Sequence, residues 1–145
     1  MENLHSALNV QIANWSVLYT KLHHYHWFVK GPFFFTLHEK FEEFYNEAAS
    51  TVDEVAERLL TIGGTPVSTM KEYLSLATIE ETKGKTTTDE MVSSLIADYK
   101  QLKSELKDLA NLADEHNEDA INDLAVGLIG KIDIHIWMLS AYLGE

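Results

Sequence analysis

Two histidines and three carboxylates stand at spacings that suit a metal site. His26 and His38 flank Gly31-Pro32, and Glu42, Asp53 and Glu57 follow at helical intervals. Imidazole and carboxylate together suit a borderline-hard divalent metal such as iron, manganese or zinc. His26 and His38 lie 12 residues apart and symmetric about Pro32, so an antiparallel helix pair turning at that proline sets them level. His38 and Glu42 are four residues apart, as are Asp53 and Glu57. At helical pitch all four fall within an arc of roughly 100°. Glu42 and Glu57, however, are separated by about 22 Å along a helix axis, against ligand bonds of about 2 Å. One chain cannot bring all four to one ion.

Two copies can. If the second helix meets its own copy antiparallel across a two-fold axis, level partners have residue numbers of constant sum. The pair 38 and 57 and the pair 42 and 53 both add to 95. One axis near residues 47 and 48 therefore satisfies both pairings. His38 and Glu42 of one copy then meet Asp53 and Glu57 of the other, with His26 joining from the neighbouring helix, and symmetry makes two such sites. Tyr45, Ala49, Ala56 and Leu60 share that face and suit an interface better than open water. The plain alternative is a solvated acidic face. An intramolecular di-iron bundle needs Glu-x-x-His on two inward-facing helices. Only Glu2-Asn3-Leu4-His5 fits, so an ordinary ferritin centre is not expected.

The elements that must hold these residues are helices. Apolar residues recur at helical spacing from Leu4 to Val29, and Lys30-Gly31-Pro32 stops that stretch. Thr36-Leu37-His38-Glu39 has the pattern of a capping box opening a second helix. Its stripe runs from Leu37 to Ile62, and Gly63-Gly64-Thr65-Pro66 ends it. A long crossover follows from Thr65 to about Thr86, and Thr69-Met70-Lys71-Glu72 predicts a short helix over Met70 to Leu76. Thr87-Thr88-Asp89-Glu90 opens a third helix with a heptad seam from Val92 to Ala113. Polar residues 114–118 break it, and a fourth helix carries Ile121, Leu124, Leu128, Ile132, His135, Leu139 and Tyr142. Four long helices with two short turns and one long middle crossover predict an all-α, ferritin-like four-helix bundle.

Composition narrows the function. The chain has 145 residues and suits one domain over 1–145. It has no cysteine, which excludes thiolate ligands and disulfides. A formal charge of −12 and the lack of a Lys/Arg-rich tail disfavour DNA and anionic membranes and favour cations. No basic n-region precedes an apolar run, and no uninterrupted apolar stretch reaches about 18 residues. No signal peptide and no membrane span are expected, and the expected location is cytoplasmic.

The run LHHYHWFVKGPFFFTLHEKFEEFYNEAASTVDEVAERLLTIGGTP, with DIHIWMLSAYLG near the end, resembles the Dps family of mini-ferritins over nearly the whole chain. The resemblance implies a hollow dodecamer with ferroxidase centres at two-fold interfaces, two irons per site. His26, His38 and Glu42 would come from one subunit, and Asp53 and Glu57 from its partner. One departure is Glu42, where the family pattern usually has Asp. Trp27 falls at the family's tryptophan position beside the iron centre, which implies that it takes up oxidising equivalents; packing at an interface is the alternative. Asp114, Asp119 and Asp123 match acids lining the family's three-fold iron-entry pore. Acids at a helix N-terminus also simply favour the helix dipole. His5, His24 and His116 are expected at the surface, His23 at an interface or core, and His135 as a satisfied buried residue.

The resulting expectation is iron sequestration with ferroxidase activity, hydrogen peroxide as the family's preferred oxidant, and Fe³⁺ mineral stored in the shell against oxidative stress. Two rivals stay open: a DNA-coating shell of the nucleoid type, and a structural shell whose metal sites are vestigial or hold zinc.

Overall fold

A computed structural model describes residues 1–145. It contains five helices and no strand: α1 (Glu2–Phe28), α2 (Phe34–Thr61), α3 (Met70–Leu76), α4 (Thr88–Glu115) and α5 (Asp119–Tyr142). They group into two compact units, residues 8–88 and residues 1–7 with 89–145.

In the first unit α1 buries Leu8, Ile12, Trp15, Leu18, Leu22, Tyr25 and Val29, and α2 buries Leu37, Phe41, Phe44, Ala48, Val55 and Leu59. Each fully buried Val, Leu, Ile or Phe among them contributes about 1.5–3 kcal/mol. Val52 and Ile62 are only half-buried, at the edge of the predicted stripe. The turn between the helices needs Gly31, whose φ of 106° is closed to most side chains.

The start of α2 differs from the capping-box prediction at Thr36. The helix begins at Phe34, and Phe33 caps it without a side-chain bond. Phe34 stacks its ring on His38 one turn later, with centroids 4.8 Å apart, which favours extending the helix by that turn. At the other end Gly63 (φ 81°) and Gly64 form a Schellman close. Gly64 N–H bonds to the Leu59 carbonyl and Gly63 N–H to that of Leu60, both at 3.0 Å.

The crossover is tied to α1 by polar side chains. Asn14, wholly buried, accepts from Thr78 N–H at 2.7 Å and Ile79 N–H at 3.2 Å, and its amide donates to Thr78 Oγ1 at 2.9 Å. Asn9 bonds the Thr65 carbonyl and the Val67 N–H, and Lys21 Nζ donates to the Glu80 carbonyl. The predicted short helix over 70–76 forms with Thr69 as its N-cap. Thr69 Oγ1 accepts from Glu72 N–H, and the Glu72 carboxylate accepts from Ser68 N–H and Thr69 Oγ1.

In the second unit the predicted seam of α4 is buried from Val92 to Ala113. Its α5 partner buries Ile121, Ala125, Leu128, Ile132 and Leu139; Leu124 is half-buried and Ala125 replaces it in the core. Asn117 closes α4 in the left-handed region (φ 58°), with Glu118 N–H reaching the Ala113 carbonyl at 2.9 Å. Asn122 Nδ2 bonds the Ala110 carbonyl, and Lys103 pairs with Asp133 at 2.6 Å. One helix, α5, is long and apolar enough to cross a membrane by length and composition, with 22 % of that stretch buried inside the chain. It qualifies by mean hydropathy and not as an uninterrupted apolar run. After Asp123 only Lys131 and Asp133 interrupt it. Val126, Ile134, Trp137 and Met138 stand exposed along it.

Candidate metal centre

The hairpin of α1 and α2 brings the two histidines together in a reciprocal pair. His26 Nδ1 lies 2.6 Å from the His38 carbonyl, and His38 Nδ1 lies 2.7 Å from the His26 carbonyl. A carbonyl only accepts, so each Nδ1 carries the hydrogen and donates it. In the neutral rings the lone pair is then on Nε2, which leaves that nitrogen as the donor available to a metal. The imidazoles stack with centroids 3.7 Å apart and planes 12° from parallel. His26 is 7 % exposed and His38 half-buried. The His26 carbonyl lies in the last turn of α1, where helix carbonyls lack intrahelical donors. The His38 ring therefore caps α1 while its own orientation is set.

Glu42 approaches from one turn further along α2. Its Oε1 is 3.8 Å from His26 Nε2. That is too long for a hydrogen bond, but donors on one ion, each about 2 Å from it, stand about 3–4 Å apart. The same Oε1 accepts a long 3.4 Å bond from the Tyr45 hydroxyl. Burial, and then the Glu42 carboxylate, raise the Tyr45 phenol above its ordinary pKa, so it stays a donor. Tyr45 in turn lies 3.9 Å from the His23 ring, centroid to centroid, and His23 stacks on Trp27 at 5.0 Å with parallel planes. Burial, and to a lesser degree His26, lower the His23 pKa, so this ring is neutral at neutral pH. Trp27 is 65 % exposed and packs on His23 rather than on the histidine pair.

Asp53 and Glu57 are not part of that cluster. Both lie exposed on α2, about 17 and 22 Å beyond Glu42 along the axis. No group of three or more histidine, aspartate or glutamate side chains within one chain is placed to hold a metal ion. Glu43, the neighbour of Glu42, pairs instead with Lys40 at 2.6 Å. Asp114, Asp119 and Asp123 are exposed around the α4–α5 turn, with Asp119 in the first turn of α5. His5, His24 and His116, expected at the surface, are half-buried, as are His23 and His135. His135 packs on the ring of Tyr99 at 5.3 Å.

The sequence put Tyr45 on the ligand face and His23 at an interface or core, without placing either beside Glu42. For Tyr45 a signal was in the register: 19 and 45 have the same sum as 26 and 38, and Tyr19 and Tyr45 do meet, at 5.8 Å; that sum does not pair His23 with Tyr45.

Four long helices with a short one in the middle crossover, one hairpin of them carrying a histidine pair and carboxylates, are the architecture of a ferritin-like protein. The ferritin-like domain family matches residues 5–145. The chain is 50% identical to general stress protein 20U of Bacillus subtilis (strain 168), covering 99% of both chains. It is 49% identical to DNA protection during starvation protein 2 of Bacillus anthracis, covering 96% of this chain and 95% of the relative. Dps from Staphylococcus aureus superposes with a TM-score of 0.97 at 42% identity, over 99% of this chain and 96% of that one. A zinc-soaked Dps from Listeria innocua gives 0.95 at 42% identity, over 98% and 97%. The chain belongs to the Dps family of ferritin-like proteins. Its fold is accordingly the all-α, ferritin-like four-helix bundle with a short crossover helix, and its general function is that of the family, iron storage with ferroxidase-type activity.

Proposed function

We propose that this protein oxidises Fe²⁺ at sites shared between two copies of the chain. His26, His38 and Glu42 come from one copy, and Asp53 and Glu57 from the other. The observation that carries this reading is the division of the donors. Two imidazoles are locked with Nε2 free and a carboxylate oxygen stands 3.8 Å from one of them. The remaining two carboxylates are exposed too far along the same helix to join them.

Five side chains supply two nitrogen and up to six oxygen donors, enough for two ferrous ions with positions left for an oxidant. With hydrogen peroxide, two Fe²⁺ each give up one electron. The O–O bond breaks, and two protons complete two waters. Spending both reagents together leaves neither for radical chemistry, which protects against oxidative stress. Fe³⁺ then mineralises inside a hollow shell, a dodecamer in the cytoplasm. Asp114, Asp119 and Asp123 attract the entering cation, and Trp27, through His23 and Tyr45, takes up stray oxidising equivalents. The charge of −12 keeps the shell off DNA, so no retardation is expected in a low-salt gel shift with or without Mg²⁺.

The test is anaerobic Fe²⁺ loading followed by peroxide, on wild type and on His38→Ala and Asp53→Ala. Wild type is expected to consume two Fe²⁺ per peroxide in a fast phase that each variant loses. Unchanged kinetics in both variants would show that the acidic face is only solvated surface.

A further inference from the structure

We infer that Tyr45 is a positioning residue for Glu42, holding the oxygen that this chain presents to the metal. The inference rests on the shared-site reading above. A single carboxylate oxygen carries it: Glu42 Oε1 is both the atom 3.8 Å from His26 Nε2 and the atom 3.4 Å from the Tyr45 hydroxyl. Glu42 is otherwise poorly restrained. Its side chain is 51% exposed, and it has one more rotatable bond than an aspartate. An exposed glutamate of that kind samples many rotamers and loses that freedom when it binds.

Tyr45, by contrast, is held from several sides. Its ring lies 3.9 Å from His23, 5.3 Å from His26 edge-on, and 5.8 Å from Tyr19. His23 is itself stacked on Trp27. The phenol is three residues after Glu42, on the adjoining helix surface. A rigid donor thus turns the long carboxylate back toward His26. A shorter aspartate at 42 would stop short of the hydroxyl. The phenol therefore matters for the glutamate and has no grip on the aspartate.

The test uses Co²⁺ as probe on the full-length oligomer, with wild type, Tyr45→Phe, Glu42→Asp and the double variant. Affinity is read by titration, and ligand geometry by the visible absorption of the bound ion. Tyr45→Phe is expected to weaken Co²⁺ about fivefold, the size of one net hydrogen bond, and to shift the visible bands. In the Glu42→Asp background the same change is expected to do neither. Equal effects in both backgrounds would show that the phenol acts by packing, and no effect with Glu42 present would also overturn the inference. His26→Ala and His38→Ala decide the underlying site separately. If both bind Co²⁺ as wild type does, there is no histidine centre and both readings fall. If they lose Co²⁺ while Tyr45→Phe keeps wild-type affinity and bands, only the positioning role falls.

Discussion

Mixing subunits gives the sharpest consequence of a site split at 38/42 and 53/57. Take a chain with His38→Ala and a second with Asp53→Ala, each inactive alone. In a mixed dimer one site receives both defects, and the other receives His38 and Asp53 intact. Random reassociation at equal amounts makes half of the dimers mixed, so about a quarter of all sites are restored. Placing both substitutions on one chain and mixing it with wild type inverts the logic. Every site in a mixed dimer then carries one defect, and only wild-type pairs work, again about a quarter. A site built within one chain would instead give no recovery in the first mixture and about half activity in the second. The structure sets this contrast, because Asp53 and Glu57 are exposed on α2 and no three ligand side chains converge within one chain. The assay is the amplitude of the fast Fe²⁺ oxidation phase after unfolding, mixing and reassembly, with mass spectrometry confirming mixed oligomers. No recovery in the first mixture together with half activity in the second would refute the shared site.

Three further outcomes follow from packing and capping. Asn14→Ala leaves the Thr78 and Ile79 amides without their buried acceptor, which is expected to cost about 2–4 kcal/mol and to speed hydrogen exchange at those two amides before any global unfolding. Gly63→Ala meets no atom within 4 Å, yet φ is 81°. The cost is the left-handed backbone alone, about 1–2 kcal/mol, read as a fall of roughly 3–6 °C in Tm at fixed protein concentration. Hydrogen bonds from Thr69 and then Ser68 hold the Glu72 carboxyl below its ordinary value of 4.5. A depressed folded-state pKa means that its contribution is present above 4.5 and lost as pH falls through the lower folded value. Amide protection over residues 70–76 should fall in that acid window, and Glu72→Gln should remove the pH dependence.

Much of this was legible because it is local. Gly63-Gly64 closes α2 and Thr69-x-x-Glu72 opens α3 at the residues predicted, since caps depend on neighbours in sequence. The level placement of His26 and His38 followed from symmetry about Pro32, and their reciprocal bonds meet that expectation. What escaped depends on through-space partners. The start of α2 at Phe34 turns on a ring stack with His38, and Asn14 looks like an ordinary polar residue until the crossover folds against it. Tyr45 reads as an interface residue by spacing, and only the rotamer of Glu42 makes it a donor. The exposed apolar residues of α5 gave a mixed signal for the same reason, since periodicity reports the buried face and says nothing of what meets the other.

The reciprocal histidine bonds join the stability of the hairpin to the readiness of the site. His38 Nδ1 satisfies a carbonyl that α1 would otherwise leave open at its end, and the same bond frees Nε2. No separate residue is needed to select the tautomer, so the two histidines are ordered by folding alone. The other half has no such support: Asp53 and Glu57 are exposed carboxylates in mid-helix. On the shared-site reading, the locked histidine pair meets two exposed carboxylates of a second chain, and metal then bridges the two. Binding that requires both copies must, by linkage, favour their association. Metal should therefore raise the resistance of the dimer to dissociation in wild type, and His38→Ala should lose that response even where its helices remain folded.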